Sequence, residues 1–173
     1  MKREIELWDY AKQIMEATGK GVLLTAKAND RVNTMVIGWG MLGIEWGKPI
    51  FTVFVRKSRY TKALLDQNPE FTVNIPLGSI PKEILSLCGS KSGRDVDKIQ
   101  QLGLTLEDPV TVSVPAIREL PLTLECKVIY RQDQDPAAID PQSDSRFYAK
   151  GTANEGDYHT AYYGQVTAAY IVE

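Results

Sequence analysis

The sequence predicts a mainly β protein with short helices, organised on an antiparallel sheet, and three observations carry that prediction. Runs of β-branched, aromatic and aliphatic residues recur between Gly, Pro and Asn-Asp punctuation, the pattern of strands and turns. The first two runs, Gly21 to Lys27 and Val32 onward, follow one another across the turn dipeptide Asn29-Asp30 with no helix between them. That order argues for an antiparallel meander rather than a doubly wound parallel sheet. The helical patterns, finally, are all short.

Taken in order, Leu7, Ala11, Ile14 and Met15 recur at helical spacing until Gly19 and Gly21 close the pattern. Residues 6–18 are therefore expected to form an amphipathic helix over a sheet edge. After the Gly21–Lys27 strand, the apolar runs Val32 to Trp39 and Ile50 to Val55 are expected to pair as a hairpin across a Gly-rich turn. The chain then reads Arg56-Lys57-Ser58-Arg59-Tyr60-Thr61 and Lys62-Ala63-Leu64-Leu65, a helix start with Ser58 as the expected N-cap. That helix stops near Gln67, because the residue before Pro69 resists the α conformation. Phe71 to Ile75 is the next strand. Ser79, with Pro81 in the first turn, opens a short helix through Leu87, and Asp95 is expected to cap another that ends before Gly103. A polar loop from Cys88 to Asp95 separates them. Leu122 to Gln132 alternates, with Leu122, Leu124, Cys126, Val128 and Tyr130 on one face and Thr123, Glu125, Lys127 and Arg131 on the other. This reads as a half-buried strand with Cys126 as a packed core thiol. Residues 132–158 form a long excursion rich in Asp, Pro, Ser, Gly and Asn, partly ordered by Phe147 and Tyr148, and His159 to Ile171 closes the sheet.

A chain of 173 residues supports one substantial core, so one domain over residues 1–173 is expected. The net charge of −2 provides no basic field for nucleic acid. MKREIELWDY lacks the apolar region of a signal peptide, and no run approaches about 18 apolar residues, so neither export nor a membrane span is expected and the protein reads as cytoplasmic. Cys88 and Cys126 are too few for a disulfide framework and are treated as thiols. With His159 as the single histidine, no metal site is expected.

Most of the chemistry lies in residues 56–61. Free backbone N–H groups of a helix start, the hydroxyls of Ser58 and Thr61, and the cations Arg56, Lys57 and Arg59 converge there, which makes an anion site with phosphate as the candidate. The bland alternative is a capped surface helix with cations nearby. Cations at a helix N-terminus oppose its dipole, at a cost of roughly a few tenths of a kcal/mol, unless an anion joins them, which favours a ligand.

Five features in order extend this reading. They are Asn33-Thr34-Met35 with Gly38-Trp39-Gly40-Met41; Arg56 to Thr61; Phe71-Thr72-Val73-Asn74-Ile75-Pro76; the loop Ser90-Lys91-Ser92-Gly93-Arg94-Asp95 followed by Lys98; and the segment His159 to Val166. With them the chain resembles the flavin reductase-like proteins of the FMN-binding split-barrel superfamily, in particular its flavoredoxin-type members, over nearly its whole length. The resemblance implies a six-stranded antiparallel Greek-key split β-barrel that dimerises, with FMN in a groove near the subunit interface. It assigns the FMN phosphate to Arg56, Ser58, Arg59 and Thr61, with Lys57 beside them. Asn33, Thr34, Met35 and the turn of Gly38, Trp39, Gly40 and Met41 would face the isoalloxazine. Asn74 and the 88–94 loop, Lys91 and Ser92 foremost, would close over the ribityl chain or ring edge, and Lys98 would act electrostatically. His159 would contact flavin or substrate, against the plain alternative of a structural histidine. Trp46 is expected to pack in the core or a dimer contact. The implied activity is an oxidoreductase that moves electrons from NAD(P)H or a redox protein through FMN to a small acceptor or protein, with no catalytic side chain required. The alternative is a flavin-binding module without turnover. No Gly-x-Gly-x-x-Gly follows a strand, so a nicotinamide dinucleotide, if used, binds over the flavin.

Overall fold

The structure, a computed structural model, describes residues 1–173. A short strand β1 (Lys2–Glu4) and a 3-10 turn (Leu7–Tyr10) lead into α1 (Ala11–Thr18). Two hairpins follow, β2 (Val22–Ala28) with β3 (Arg31–Ile37) and β4 (Gly40–Glu45) with β5 (Lys48–Arg56). Then come α2 (Tyr60–Gln67), β6 (Glu70–Ile75), α3 (Lys82–Ser90), α4 (Lys98–Leu102) and a two-stranded ribbon of β7 (Leu106–Glu107) and β8 (Ala116–Ile117). The long strands β9 (Leu122–Asp133) and β10 (His159–Val172) flank a 3-10 turn (Pro136–Ala138) and α5 (Pro141–Phe147). In the main sheet the order is β3-β2-β6-β9-β10-β5-β4, with β1 added on β10, and every pairing is antiparallel. From β5 the chain crosses over to β6 on the far side of β9 and β10, a Greek-key connection.

All the strands expected from the sequence lie in this sheet, but the expected pairing of β3 with β5 does not occur. Residues 40–45, read as part of a turn, form β4 and take that place beside β5. The turn itself is Trp46-Gly47, with φ of 50° and 68°, the left-handed pair that a two-residue hairpin loop of the I′ kind requires. Gly38-Trp39 is a two-residue link between hairpins.

Strand alternation builds the main core. Leu24 and Ala26, Phe51, Val53 and Val55, Phe71, Val73 and Ile75, and Leu122, Leu124 and Cys126 point to one side, where Ile14 of α1 and Leu64 and Leu65 of α2 close over them. Removing each large side chain from water stabilises the fold by roughly 1.5–3 kcal/mol. The opposite face, expected to be solvated along β9, is covered instead: Leu23, Ile84, Cys88, Leu104, Ile117 and Leu120 form a second cluster there. Glu125 is consequently fully buried. Its carboxylate accepts from the Val110 and Thr111 amides (2.7 and 2.6 Å), the Thr111 hydroxyl (2.8 Å) and the Tyr170 hydroxyl (2.8 Å), which satisfies the charge. Past Lys127, where pairing with β6 ends, β9 runs on with only β10 beside it, so Tyr130 is exposed despite its apolar register.

Helix ends also differ from expectation: residues 7–10 are a 3-10 turn, so α1 starts at Ala11, and α3 starts at Lys82 with Pro81 as its cap, not at Ser79. Ile84 and Cys88, one turn apart, both bury against Leu23, which carries α3 past Leu87 to Ser90. The cap of α4 is Asp97, whose side chain accepts from the Gln100 amide, rather than Asp95.

Candidate functional site

Where the sheet order ends at β3, four segments meet: the tail of β3 with its Gly38-Trp39 link, the β5–α2 turn, the 88–98 loop, and the start of β10. They enclose two adjoining cavities. One, of ≈ 150 Å³, is lined by Met35, Val36, Ile37, Gly38, Trp39, Phe54, Arg56, Arg59 and His159. The other, of ≈ 330 Å³, shares Met35, Val36 and Arg59 with the first and adds Asn33, Ser58, Tyr60, Thr61 and residues of the 88–98 loop. Together they reach the size of a small-molecule site, about 300–1,000 Å³.

The second cavity is basic. Arg59, Lys91, Arg94 and Lys98 line it against the single carboxylate of Asp95. Lys98 is buried, with 3% exposure, and its ammonium donates to the Thr34 carbonyl at 2.7 Å with no carboxylate in ion-pair reach. Burial pushes its pKa below the usual lysine value; the Cys88 thiol opposes this and Arg59 adds to it. A buried ammonium so placed gains from any anion that enters. Gly93 lets the loop close here: a Cβ on it would sit 2.0 Å from the Asn33 side-chain oxygen and 2.8 Å from the Tyr60 ring. Asn33 in turn donates to the Thr61 hydroxyl at 2.9 Å, and Arg94 spans the mouth, donating to the Ser58 carbonyl at 3.0 Å with its guanidinium 5.4 Å from the Tyr60 ring centre.

The first cavity is walled by the apolar Met35, Val36, Ile37, Trp39 and Phe54 together with Arg56, Arg59 and His159, and the 134–158 excursion packs against its Trp39 and His159 walls. Phe147 stands edge-on to Trp39 (centroids 5.0 Å, 85°), and Trp39 lies 5.0 Å from the His159 ring. The buried Tyr148 bonds His159 Nδ1 at 2.7 Å, and Arg56 sits 5.3 Å over the Tyr148 ring. Burial, then the nearby Arg56, lowers the His159 pKa to about 4, so the imidazole is neutral at pH 7.

Ser58 does not cap α2. Arg59 takes that position without a side-chain bond, while Ser58 gives its amide (3.0 Å) and hydroxyl (2.6 Å) to the Asp157 carboxylate. The Asp157 carbonyl accepts from Arg56 at 2.9 Å. Ser58, one of the donors expected to hold an anion, thus already holds one, and the chain itself supplies it.

Of the expected site residues, Asn33, Met35, Ser58, Arg59, Thr61, Lys91, Ser92 and Lys98 line the basic cavity, and Met35, Gly38, Trp39, Arg56, Arg59 and His159 the apolar one. Arg56 thus lines the first cavity and not the basic one, held by the Asp157 carbonyl and lying over the Tyr148 ring. Five stand elsewhere. Thr34 turns its hydroxyl inward to Thr25 and the Leu24 carbonyl, because β3 faces the interior there. Gly40 lines a neighbouring hollow with Met15 and Gln134, and Met41 belongs to a groove with Ile44 and Tyr163, because β4 carries both away from the link. Lys57 pairs with Asp133 across the sheet edge at 3.0 Å. Asn74, mid-sheet in β6, is fully buried and donates to the Thr123 hydroxyl at 3.0 Å. Trp46 is 62% exposed at its turn, edge-on to Tyr130, and is not a core residue. Gln134, Tyr148 and Asp157 reach the site through the long excursion, where the Phe147-Tyr148 pair was the only local signal.

Fold and clefts define an antiparallel split barrel with an apolar slot opening into a basic recess. The chain belongs to the flavin reductase like domain family, whose profile matches residues 15–173. Flavoredoxin from Methanosarcina acetivorans is similar in structure, with 27% identity, a TM-score of 0.65, and 88% of this chain and 68% of that one covered. An FMN-binding domain of a flavin reductases-like enzyme from Shewanella baltica shares the fold at 19% identity and a TM-score of 0.67, over 99% and 77% of the two chains. In sequence, an uncharacterized protein of Archaeoglobus fulgidus is 31% identical over 100 residues, 58% of this chain and 55% of that one. The Escherichia coli protein YddH is 31% identical over 114 residues, 64% and 59% of the two chains. The matches thus span less than two thirds of either relative. No helix is long and apolar enough to cross a membrane.

Proposed function

We propose that this chain binds FMN and is an oxidoreductase of the flavin reductase type, taking electrons from NAD(P)H or a redox protein and passing them to a small acceptor or protein. The observation that carries the reading is the continuity of the two cavities through Met35, Val36 and Arg59: a slot for a flat apolar ring beside a recess for a dianion. The residues present fit FMN, since the buried Lys98 ammonium has one backbone carbonyl as its acceptor and faces that recess.

In this reading Arg59, Thr61, Lys91, Ser92 and Lys98 hold the phosphate and ribityl end, with charge-assisted bonds to the dianion, and Ser58 joins them only where Asp157 releases its donors. Met35, Trp39 and Phe54 wall the ring and exclude water, and Arg56 and His159 stand at its polar edge. When bound, the flavin supplies the electron chemistry; the chain's part is to hold, orient and bias it. Arg56 and Arg59 favour the site's occupant in its more negative state.

The assembly we propose is a homodimer, supported by the outer edge of β4, where Met41, Ile44 and Trp46 are 50%, 72% and 62% exposed at the end of the sheet. We place the protein in the cytoplasm, in keeping with its two buried free thiols, Cys88 and Cys126.

Titration with FMN and riboflavin tests the reading. Arg59→Ala is expected to weaken FMN by about 1.5–3 kcal/mol, the range for bonds to charged groups, and to leave riboflavin unaffected. A folded protein that takes up no FMN sinks the proposal. Bound FMN that neither NADH, NADPH nor a reduced ferredoxin bleaches would make it a flavin-binding module without turnover.

A further inference from the structure

Gln134 and Tyr148 are joined to His159 by three contacts that fix where every proton lies. The Gln134 side-chain oxygen accepts the His159 backbone amide at 3.0 Å, which identifies that atom as the carbonyl, because an amide N–H only donates. The Tyr148 hydroxyl stands 3.0 Å from the same oxygen, a contact that is a hydrogen bond only if the hydroxyl donates its one proton there. It therefore receives, at 2.7 Å, the proton of His159 Nδ1. Tyr148 stays a phenol, its pKa raised by burial. His159 Nε2 bonds nothing in the chain, yet no buried polar side-chain atom is left without a partner, so Nε2 is open to the cavity that the ring lines.

We propose that Gln134 and Tyr148 are positioning residues that hold His159 as the Nδ1–H tautomer, so that Nε2 offers a lone pair to an N–H of the occupant that is flanked by carbonyls. Arg56 lines the same cavity and supplies a donor for an adjoining carbonyl, giving a donor–acceptor edge. That edge matches the imide of an isoalloxazine; the primary carboxamide of a nicotinamide, with one carbonyl beside its N–H, meets the edge without being flanked on both sides. The inference rests on the flavin reading for its occupant, but the tautomer does not.

Because His159 is the only histidine, nitrogen-edited NMR of its imidazole is unambiguous. In the ligand-free protein at pH 7, Nδ1 should resonate as a protonated nitrogen and Nε2 as an unprotonated one; the reverse tautomer overturns the proposal. Tyr148→Phe, and independently Gln134→Ala should the first variant misfold, should lose the single-tautomer signature. Retention of it in a folded variant overturns the positioning role. On adding FMN, Nε2 should shift as an accepting nitrogen, and FMN methylated on its imide nitrogen should bind about three- to tenfold more weakly, the worth of one such bond. If FMN leaves Nε2 unmoved and NADH moves it, the carboxamide is the source. If both bind and neither moves it, the acceptor role falls. Failure of FMN to bind at all would sink the flavin reading while leaving the tautomer result to stand on its own.

Discussion

His159 is buried as a neutral ring, and that has a sign in pH. Its pKa falls from the ordinary 6.5 to about 4 in the folded chain. The unfolded chain therefore takes up the proton first, and the stability that His159 contributes is complete above pH 6.5 and lost as pH falls toward 4. The span corresponds to about 3 kcal/mol. Urea unfolding at pH 7 and pH 4.5 should show this loss in the wild type and a flatter response in His159→Gln. Glu125 makes a second residue-scale case. Glu125→Ala takes the acceptor from the buried Tyr170 hydroxyl and from the Val110 and Thr111 donors nearer the surface, and should cost about 1–3 kcal/mol, read as a lower urea midpoint at unchanged slope. Sequence alternation placed Glu125 outward because one strand's pattern cannot register a second layer, here the 104–120 segment, laid over its polar face. Asn74 and Thr34, which the resemblance put at the flavin, turn their side chains into the sheet's covered interior instead. By contrast the cations of residues 56–59 draw attention by themselves, since their concentration at a helix start asks for an anion, whereas Lys91 and Lys98 entered only through the resemblance.

The 134–158 excursion is the element least readable from its residues and the one that braces the cleft's walls. Its composition says loop, and its Asp, Pro and Ser content gives no strand or helix period to follow. Yet it puts Phe147 on Trp39, Tyr148 on His159 and Asp157 on Ser58. β4 was missed for a different reason: Gly40 and Gly43 break the strand signal, and the true turn hides in Trp46-Gly47, an aromatic at positive φ. The strands β2, β3, β5, β6, β9 and β10, whose apolar alternation faces a single core, were all legible. The Asp157 contact sets up a test of the excursion as a unit. Its carboxylate occupies donors that a phosphate would use, and like charges a few ångströms apart near the surface repel by roughly 1 kcal/mol or more before screening. Asp157→Asn keeps an acceptor for Ser58 and removes the charge, so FMN should bind about fivefold more tightly by fluorescence titration, with riboflavin unchanged. Weaker FMN binding would mean that the strap, not the charge, governs the recess.

At the scale of the whole molecule, the sheet ends in two open edges, β3 and β4, and they lie at the two sides of the Gly38-Trp39 link. The β4 edge is bare and apolar, and sedimentation of the FMN-loaded protein at micromolar concentration should give a two-fold dimer; a monomer that stays yellow would defeat it. Replacing Ile44 and Trp46 by Lys should dissociate such a dimer without unfolding the chain, because neither side chain is buried. The β3 edge borders both cavities. In an antiparallel pair about half the amides of an edge strand point away from the partner, so the outward amides of residues 32–37 owe their protection to whatever lies over them rather than to a ladder. Deuterium uptake along this chain therefore separates two events that a melting curve would merge. Filling the cleft should slow exchange in the peptide over β3 at any protein concentration, pairing of two copies should slow it over β4 as concentration rises, and residues 122–126 in mid-sheet should register neither.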